Sequence, residues 1–373
     1  MPLFVAADLH LRDHTWSGRP EVSGDAAFAL EQIVAHCLSA RADLLLLGDT
    51  FHSVKPDNGV VRLVQAALAE LLAEGRNVYY LLGNHDPVSW LDTSPELARL
   101  VRHLPTTGCQ LGDHHLYGID YRPRGIFQEM LANVPEHCDV LACHQRFREA
   151  FGWATFHASM GDVPEHVKLV MVGDIHKHVE HKGSDGRRLF YPGSPYLTRV
   201  DDDEKCGGML VGEDLSTSWK PFLSRSVLRC RVYDDDDVLK VVRRVNDHPV
   251  TPGLPEALRV PIVIVTCYVD RVPGAGEDLR RALAGTAHVF ISPVTEESRK
   301  IVEAFDGVDA GKLGDITMQM FLDAEIDRNA DPVVYHGVEM LLAHVDTLEA
   351  SRKLGRLCGL SEQEINEVVP RKG

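Results

Sequence analysis

The sequence predicts an α/β fold with more than one domain, and three observations carry that reading. From Leu3 to about Val211, short apolar runs take turns with amphipathic segments. Such alternation implies strands and helices around a largely buried sheet. After about Pro221 a second and smaller β-α-β-α-β succession follows, and from about Gly307 the pattern becomes helical.

Taken in order, strands are expected at 3–7, 43–47, 77–82, 139–143, 168–172, 188–191 and 208–211. Helical spacing fits 25–39, where Phe28, Leu30, Ile33, Val34 and Cys37 fall on one side. It also fits 59–74, through Val60, Val61, Val64, Leu68, Leu71 and Leu72. Beyond Pro221, Arg225 to Val232 reads as a strand, Val238 to Asn246 as a helix and Val260 to Val269 as a second strand. Glu277 to Ala284 is helical and His288 to Ile291 extended. In the last part, Asp331-Pro332 opens a helix with an apolar stripe from Val333 to Leu348, and Ser361 with Glu364 forms a capping box. The acidic clusters Asp201–Glu204 and Asp234–Asp237 read as solvated loop charge.

Composition narrows the classes. The 373 residues are 44% hydrophobic and 25% charged, an ordinary globular balance, and no apolar run is long enough to span a bilayer. The opening Met1 to Asp8 meets an acidic residue at once and reads as a strand, not as a signal peptide. Eight scattered cysteines without a C-x-x-C pair suit reduced thiols in a cytoplasmic protein. The formal net charge of −16 matters most. An acidic chain that acts on phosphates needs local positive charge from bound metals, placed arginines or a partner subunit.

The ion-binding residues fall at the carboxyl ends of the expected strands, the edge at which open α/β sheets bind ligands. Asp8 and His10 follow the first strand, Asp49 the second, Asn84 and His85 the third; His144 ends 139–143, and Asp174 with His176 follows 168–172. A carboxylate and an imidazole two apart in an extended segment point to the same side, so Asp8 and His10 are expected to bind one ion together. Asp49 on its Gly-Asp turn is the natural bridge to a second. Asn84, His144 and Asp174 complete the second ion, and His176 the first. Mixed carboxylate, imidazole and amide donors suit manganese, iron or zinc, with magnesium less favoured. Two such ions about 3.5–4 Å apart hold a phosphate and supply a metal-activated hydroxide near neutral pH. His85 then stands beside them as the acid for the departing oxygen.

The series Asp8-x-His10, Gly48-Asp49, Gly83-Asn84-His85-Asp86, His144 and Gly173-Asp174-Ile175-His176 resembles the motifs of the calcineurin-like metallophosphoesterase superfamily over roughly 1–215. Within it the chain is similar to the SbcD-type nucleases, the nuclease subunits of SbcC–SbcD complexes and of related phage recombination endonucleases. Gly48-Asp49-Thr50-Phe51-His52, His144-Gln145 and Tyr191-Pro192-Gly193-Ser194-Pro195 carry that closer likeness. Two positions depart from it: Asp174 stands where the family has histidine, and Arg12 where a glycine is common.

The resemblance implies a sandwich of two mixed β-sheets flanked by helices over 1–222, a small α+β capping domain over 223–300, and C-terminal helices over 301–373 that dock on an ABC-type ATPase. It implies a metal-dependent exonuclease and endonuclease for DNA repair, recombination or replication, with two divalent ions, manganese first among them. His52 joins His85 in the active site, and Asp86 is a carboxylate that orients a neighbour. A homodimer with an SbcC-like partner and no membrane association follows from the same likeness. The chain has no Gly-x-x-x-x-Gly-Lys-Ser/Thr loop, so ATP use falls to the partner. Arg122, Arg124 and Arg146 are candidates for contact with the DNA backbone. The competing reading is a stand-alone metallophosphoesterase for small phosphodiesters or phosphoproteins. His114, His115, His157, His178 and His181 read as ordinary surface or core polar residues.

Overall fold

The computed structural model describes residues 1–12, 21–87, 89–90, 94–151, 156–198 and 205–294. The helices expected beyond Gly307, the docking region 301–373 and the acidic cluster 201–204 lie outside these residues. The described residues form two compact units, the first from 1–151, 156–226 and 250–260, the second from 227–249 and 261–294.

In the first unit, β1 (Leu3–Ala6), β2 (Asp43–Leu47), β3 (Val78–Leu81) and β4 (Arg102–His103) run parallel in one sheet. A second sheet holds β5 (Cys109–Leu111), β6 (His114–Ile119), β7 (Cys138–His144), β8 (Leu169–Gly173), β9 (Val179–Lys182) and β10 (Arg188–Tyr191). The chain then returns to the first sheet, where β11 (Gly207–Val211) pairs antiparallel with β1 and carries β12 (Thr217–Pro221) at the edge. Both sheets are therefore mixed and six-stranded. Helices α1 (Asp25–Ala40) and α2 (Asn58–Ala73) are the crossovers between parallel strands of the first sheet, and α3 (Arg124–Ala132) serves β6 and β7.

Strand periodicity builds the layers. Successive side chains point to opposite faces, so each buried strand feeds two cores. Phe4, Ala6, Leu44, Leu46, Val78 and Tyr80 pack against α1 and α2 on the outer face of the first sheet. Their neighbours Leu3, Val5, Leu45, Leu47, Tyr79 and Leu81 turn inward and meet Val140, Ala142, Leu169, Met171 and Phe190 of the second sheet. Leu141, Cys143, Val170, Val172, Leu189 and Tyr191 face outward again, onto Phe127 and Leu131 of α3. The result is two mixed sheets face to face with helices outside, as expected. On α1 the buried face is Ala26, Ala29, Leu30, Ile33, Val34 and Cys37; Phe28 lies beside it and is only half buried.

The strand expected from Arg225 begins at Val227, and Arg225 has another use. Its guanidinium is buried and paired with both carboxylate oxygens of Asp25 at the start of α1, at 3.0 and 3.1 Å. It also donates to the carbonyls of Ser23, Ala257 and Val260. One side chain thus ties 225–226 and 250–260 to α1.

The second unit is the expected β-α-β-α-β succession: β13 (Val227–Val232), α4 (Asp235–Asn246), β14 (Ile262–Tyr268), α5 (Ala275–Ala282) and β15 (His288–Val294). All three strands are parallel, and Val263, Val265, Val241, Val245 and Leu279 fill the core. Asp234–Asp237 is not loop charge. Asp234 caps α4 by accepting from the Asp237 amide at 2.9 Å, and the other three acids form the first turn, where the helix dipole favours negative charge. Among the described residues no helix is long and apolar enough to cross a membrane.

Candidate metal centre

Backbone hydrogen bonds first bring the loops together. After β1 and β2 the chain stays zipped, with the amides of Asp8, His10 and Leu11 donating to the carbonyls of Gly48, Asp49 and Thr50. The buried Asp86 carboxylate joins the third loop, accepting from the amides of Phe51 at 3.0 Å and Gly83 at 2.9 Å. Asp49 Oδ1 accepts from the His85 amide at 2.9 Å. The Asp174 amide after β8 donates to Asp8 Oδ1 at 3.0 Å, which fastens the second sheet to the first.

Asp8 and His10 converge for a different reason from the one expected. They are not in extended backbone: φ is 54° at Asp8 and 41° at His10. Asp49 and Asp174 are also left-handed, at 50° and 85°. This conformation costs an L-residue about 1–2 kcal/mol, and here it brings the side chains of Asp8, His10 and Asp49 together, while that of Asp174 turns to Arg146. Glycines leave the room: a Cβ on Gly48 would sit 2.5 Å from Nδ1 of His144, and one on Gly173 2.6 Å from the same atom.

Three clusters of ligand atoms result, each within 4.8 Å: Asp8, His10 and His176; His10, Asp49 and His85; Asp8, Asp49 and His144. The Nε2 atoms of His10 and His176 face each other at 3.1 Å. Asp49 Oδ2 lies 3.5 Å from Nε2 of both His10 and His144, as a shared ligand would. The buried Nδ1 of His144 donates to the Leu47 carbonyl at 2.7 Å, which fixes the ring and leaves Nε2 toward the carboxylates.

The electrostatics are those of a site built around positive charge. Burial pushes the Asp8 carboxyl up to about 6 and the His10 imidazole down to about 2. Burial also disfavours the charged forms of Asp49 and His144. Their mutual attraction outweighs it, so Asp49 stays below the usual carboxylate range and His144 rises to about 10. Asp8 Oδ2, His10 Nδ1 and His144 Nε2 are buried without a hydrogen-bond partner. Buried polar atoms are rarely left so, and two imidazole nitrogens 3.1 Å apart beside orphaned carboxylate oxygen fit divalent cations bound by O and N donors.

The remaining expected residues fall around this cluster. Asn84 is the exposed tip of its turn. Asp174 belongs to none of the three clusters; its Oδ2 accepts from Arg146 Nε at 3.0 Å. His85 stacks at 5.9 Å on the exposed His52, and its Nδ1 lies 3.3 Å from the His52 carbonyl. Arg122 contacts the Tyr121 carbonyl and Asp120, while Arg124 lies over the Phe156 ring at 5.3 Å. Asp86, placed in the sequence as an orienting carboxylate, holds backbone amides; burial pushes it up to about 7. His178 has a supporting part, stacked on Trp219 at 4.9 Å with Nδ1 at 3.0 Å from the Tyr191 carbonyl.

Two functional residues went unseen in the sequence. Thr198 Oγ1 lies 2.9 Å from His176 Nδ1, holding the ring with Nε2 toward His10, and Tyr196 donates its hydroxyl to the His10 carbonyl at 3.0 Å. Both come directly after the Tyr191–Pro195 loop, and that adjacency was the available signal. Arg12 completes the shell, donating to His52 Nε2 at 3.1 Å and to the Thr198 carbonyl at 2.8 Å.

Comparison with known proteins finds a family model and solved structures to which parts of this chain are similar. Residues 1–178 match the family model for calcineurin-like phosphoesterases. By structure the chain is similar to an archaeal phosphodiesterase, with 10% identity and a TM-score of 0.35 over 60% of this chain and 100% of that one. It is also similar to a dimetal phosphatase from Danio rerio, with 12% identity and a TM-score of 0.39 over 57% of this chain and 92% of that one. No curated protein sequence matches it. Over residues 1–178, just under half of the chain, the sequence is therefore similar to the calcineurin-like phosphoesterases.

Proposed function

We propose that this chain is a dinuclear metal-dependent DNA phosphodiesterase, an SbcD-type exonuclease and endonuclease subunit that works as a homodimer with an SbcC-like ABC-type ATPase. One observation carries the reading: the three stretches that resemble that branch all abut the ligand cluster. His52 of the Gly-Asp-x-Phe-His stretch stacks on His85. Gln145, next to His144, accepts through its carbonyl from the Tyr191 hydroxyl at 3.0 Å, and its Nε2 donates to the Arg122 carbonyl. The loop opened by Tyr191 leads straight into Tyr196 and Thr198, which hold His10 and His176.

In this reading Asp8, His10, His176 and Asp49 hold one divalent ion, manganese being favoured. Asp49, Asn84, His144 and Asp174 hold the other. Bound ions supply an activated water and neutralise charge on the phosphoryl oxygens. The chain's own residues do the rest. Asp49 fixes the His85 backbone, and the His85 ring donates from Nδ1 to the His52 carbonyl. That contact leaves Nε2 as the ring atom from which a proton would pass to the departing oxygen.

The test offers the purified chain, with manganese and with and without the ATPase partner, linear double-stranded DNA and a nitrophenyl phosphodiester. Chelator-sensitive cleavage of DNA is expected. His85→Ala should keep its metal and lose about 10²–10⁴-fold in cleavage; full activity in that variant would remove His85 from its role. Rapid turnover of the small ester with DNA untouched, partner present, would replace the nuclease reading with that of a stand-alone esterase.

A further inference from the structure

Asp174 and Arg146 form the one pair in the cluster's surroundings that the two-ion reading does not absorb. Asp174 ends β8 with a left-handed backbone, its amide bound to Asp8 and its side chain only 8% exposed. That side chain points to Arg146, whose Nε sits 3.0 Å from Oδ2. Arg146 is 44% exposed, and among the described residues its side chain makes no other hydrogen bond or ion pair. Each of the three ligand clusters draws on Asp8, Asp49 or His10, and none includes Asp174.

From this geometry we infer that the Arg146–Asp174 pair makes the two cation positions unequal. The position built by Asp8, His10, Asp49 and His176 loads first and tightly. The position built by Asp49, Asn84 and His144 loads weakly, because its fourth donor is already engaged by a guanidinium. The inference rests on the two-ion reading above and adds an order of loading to it.

Two physical effects act in the same direction. A charge-assisted hydrogen bond from Arg is among the stronger that a carboxylate makes, so a cation that takes Asp174 must compete with it. A positive charge a few ångströms from the second position also repels a divalent ion directly, and burial of Asp174 limits screening by water. At the first position the Asp174 amide meets Asp8 and the Thr198 hydroxyl meets His176 Nδ1, contacts that an incoming cation does not have to displace. The pair also explains how an aspartate is tolerated beside Asp8 and Asp49: Arg146 offsets the added negative charge.

Manganese binding to the full chain tests the inference without any substrate, by calorimetric titration alongside the electron paramagnetic resonance of free and bound ion. The wild type should show two events separated by at least about tenfold in affinity. Arg146→Met, which keeps the apolar stem, should tighten the second event by about tenfold or more and move the first by less than about twofold. Arg146→Lys retains the charge and should stay near the wild type, and thermal melts check that each variant is folded. Two equal events in the wild type, or a second event in Arg146→Met that is unchanged or weaker, overturns the proposal and leaves the two-ion reading standing. Absence of manganese binding altogether overturns both.

Discussion

Gly48 offers the sharpest test of how the site is packed. It has φ of +88°, and a Cβ there would lie 2.5 Å from Nδ1 and 2.8 Å from Cγ of His144, a ring with no exposed surface. Gly48→Ala therefore carries two costs: about 1–2 kcal/mol for a left-handed L-residue, and about 1–3 kcal/mol for overpacking a rigid interior. Gly75 provides the control. It is left-handed too, at +71°, but a Cβ there would meet nothing within 4 Å, so Gly75→Ala carries the backbone cost alone. The difference between the variants, about 1–3 kcal/mol, corresponds to roughly 2–12 °C in melting temperature for a unit of this size. Manganese titration supplies a second readout. Gly48→Ala should weaken binding because His144 must turn off the Leu47 carbonyl, whereas Gly75→Ala should leave it unchanged. Equal melting temperatures and equal manganese affinities in the two alanine variants would refute the claim that Gly48 makes room for His144.

Three further outcomes are expected. Thr198→Val removes the hydroxyl beside His176 Nδ1 and should weaken manganese binding by about 10–100-fold with little change in the melt; unchanged affinity would deny Thr198 its orienting role. Asp25→Ala strands the buried Arg225 guanidinium and should destabilise the first unit by about 3–5 kcal/mol in urea unfolding, with a loss under about 1 kcal/mol counting against the pair. His36 packs against both Phe4 and Phe222, at 5.3 and 5.4 Å between ring centroids, and burial, with Lys220 nearby, holds its imidazole below the ordinary value. A depressed histidine stabilises the fold above its unfolded value of about 6.5, and that contribution fades as pH falls toward the folded value. The melting temperature of His36→Phe relative to wild type should therefore rise between about pH 7.5 and about pH 5.5; a constant difference would show that His36 does not titrate in this window.

The sequence was legible where local pattern and global structure agree. Residues 43–47 and 188–191 are strands as expected, because short apolar runs bounded by turns have few other uses. Edge strands such as Val179–Lys182 and Thr217–Pro221 were not seen. Their residues are half exposed and polar, and only pairing with a distant neighbour makes them strands. At the site, residue types were readable because each candidate ligand side chain follows a core strand. Backbone handedness at Asp8, His10, Asp49 and Asp174 was not, since nothing in an Asp-x-His pattern dictates positive φ. The pairing of Arg146 with Asp174 and the contact of Thr198 with His176 escaped for the same reason: these partners lie 28 and 22 residues apart, and no short motif records such contacts.

One feature of the sandwich bears on how the chain reaches its working state. Asp8, His10 and Asp49 come from the first sheet, while His144, Asp174 and His176 come from the second, and the Leu45–Met171 layer lies between the sheets. Two of the three ligand clusters draw on both sheets, whereas His10, Asp49 and His85 come from the first alone. A divalent ion is then a rivet between two plates, adding about 2.7 kcal/mol to their cohesion at a hundredfold excess over its dissociation constant. A sheet mispaired by one residue would turn its inner face outward and carry half the donors away. Ion uptake at the two shared clusters would thus favour correctly closed molecules over those still assembling.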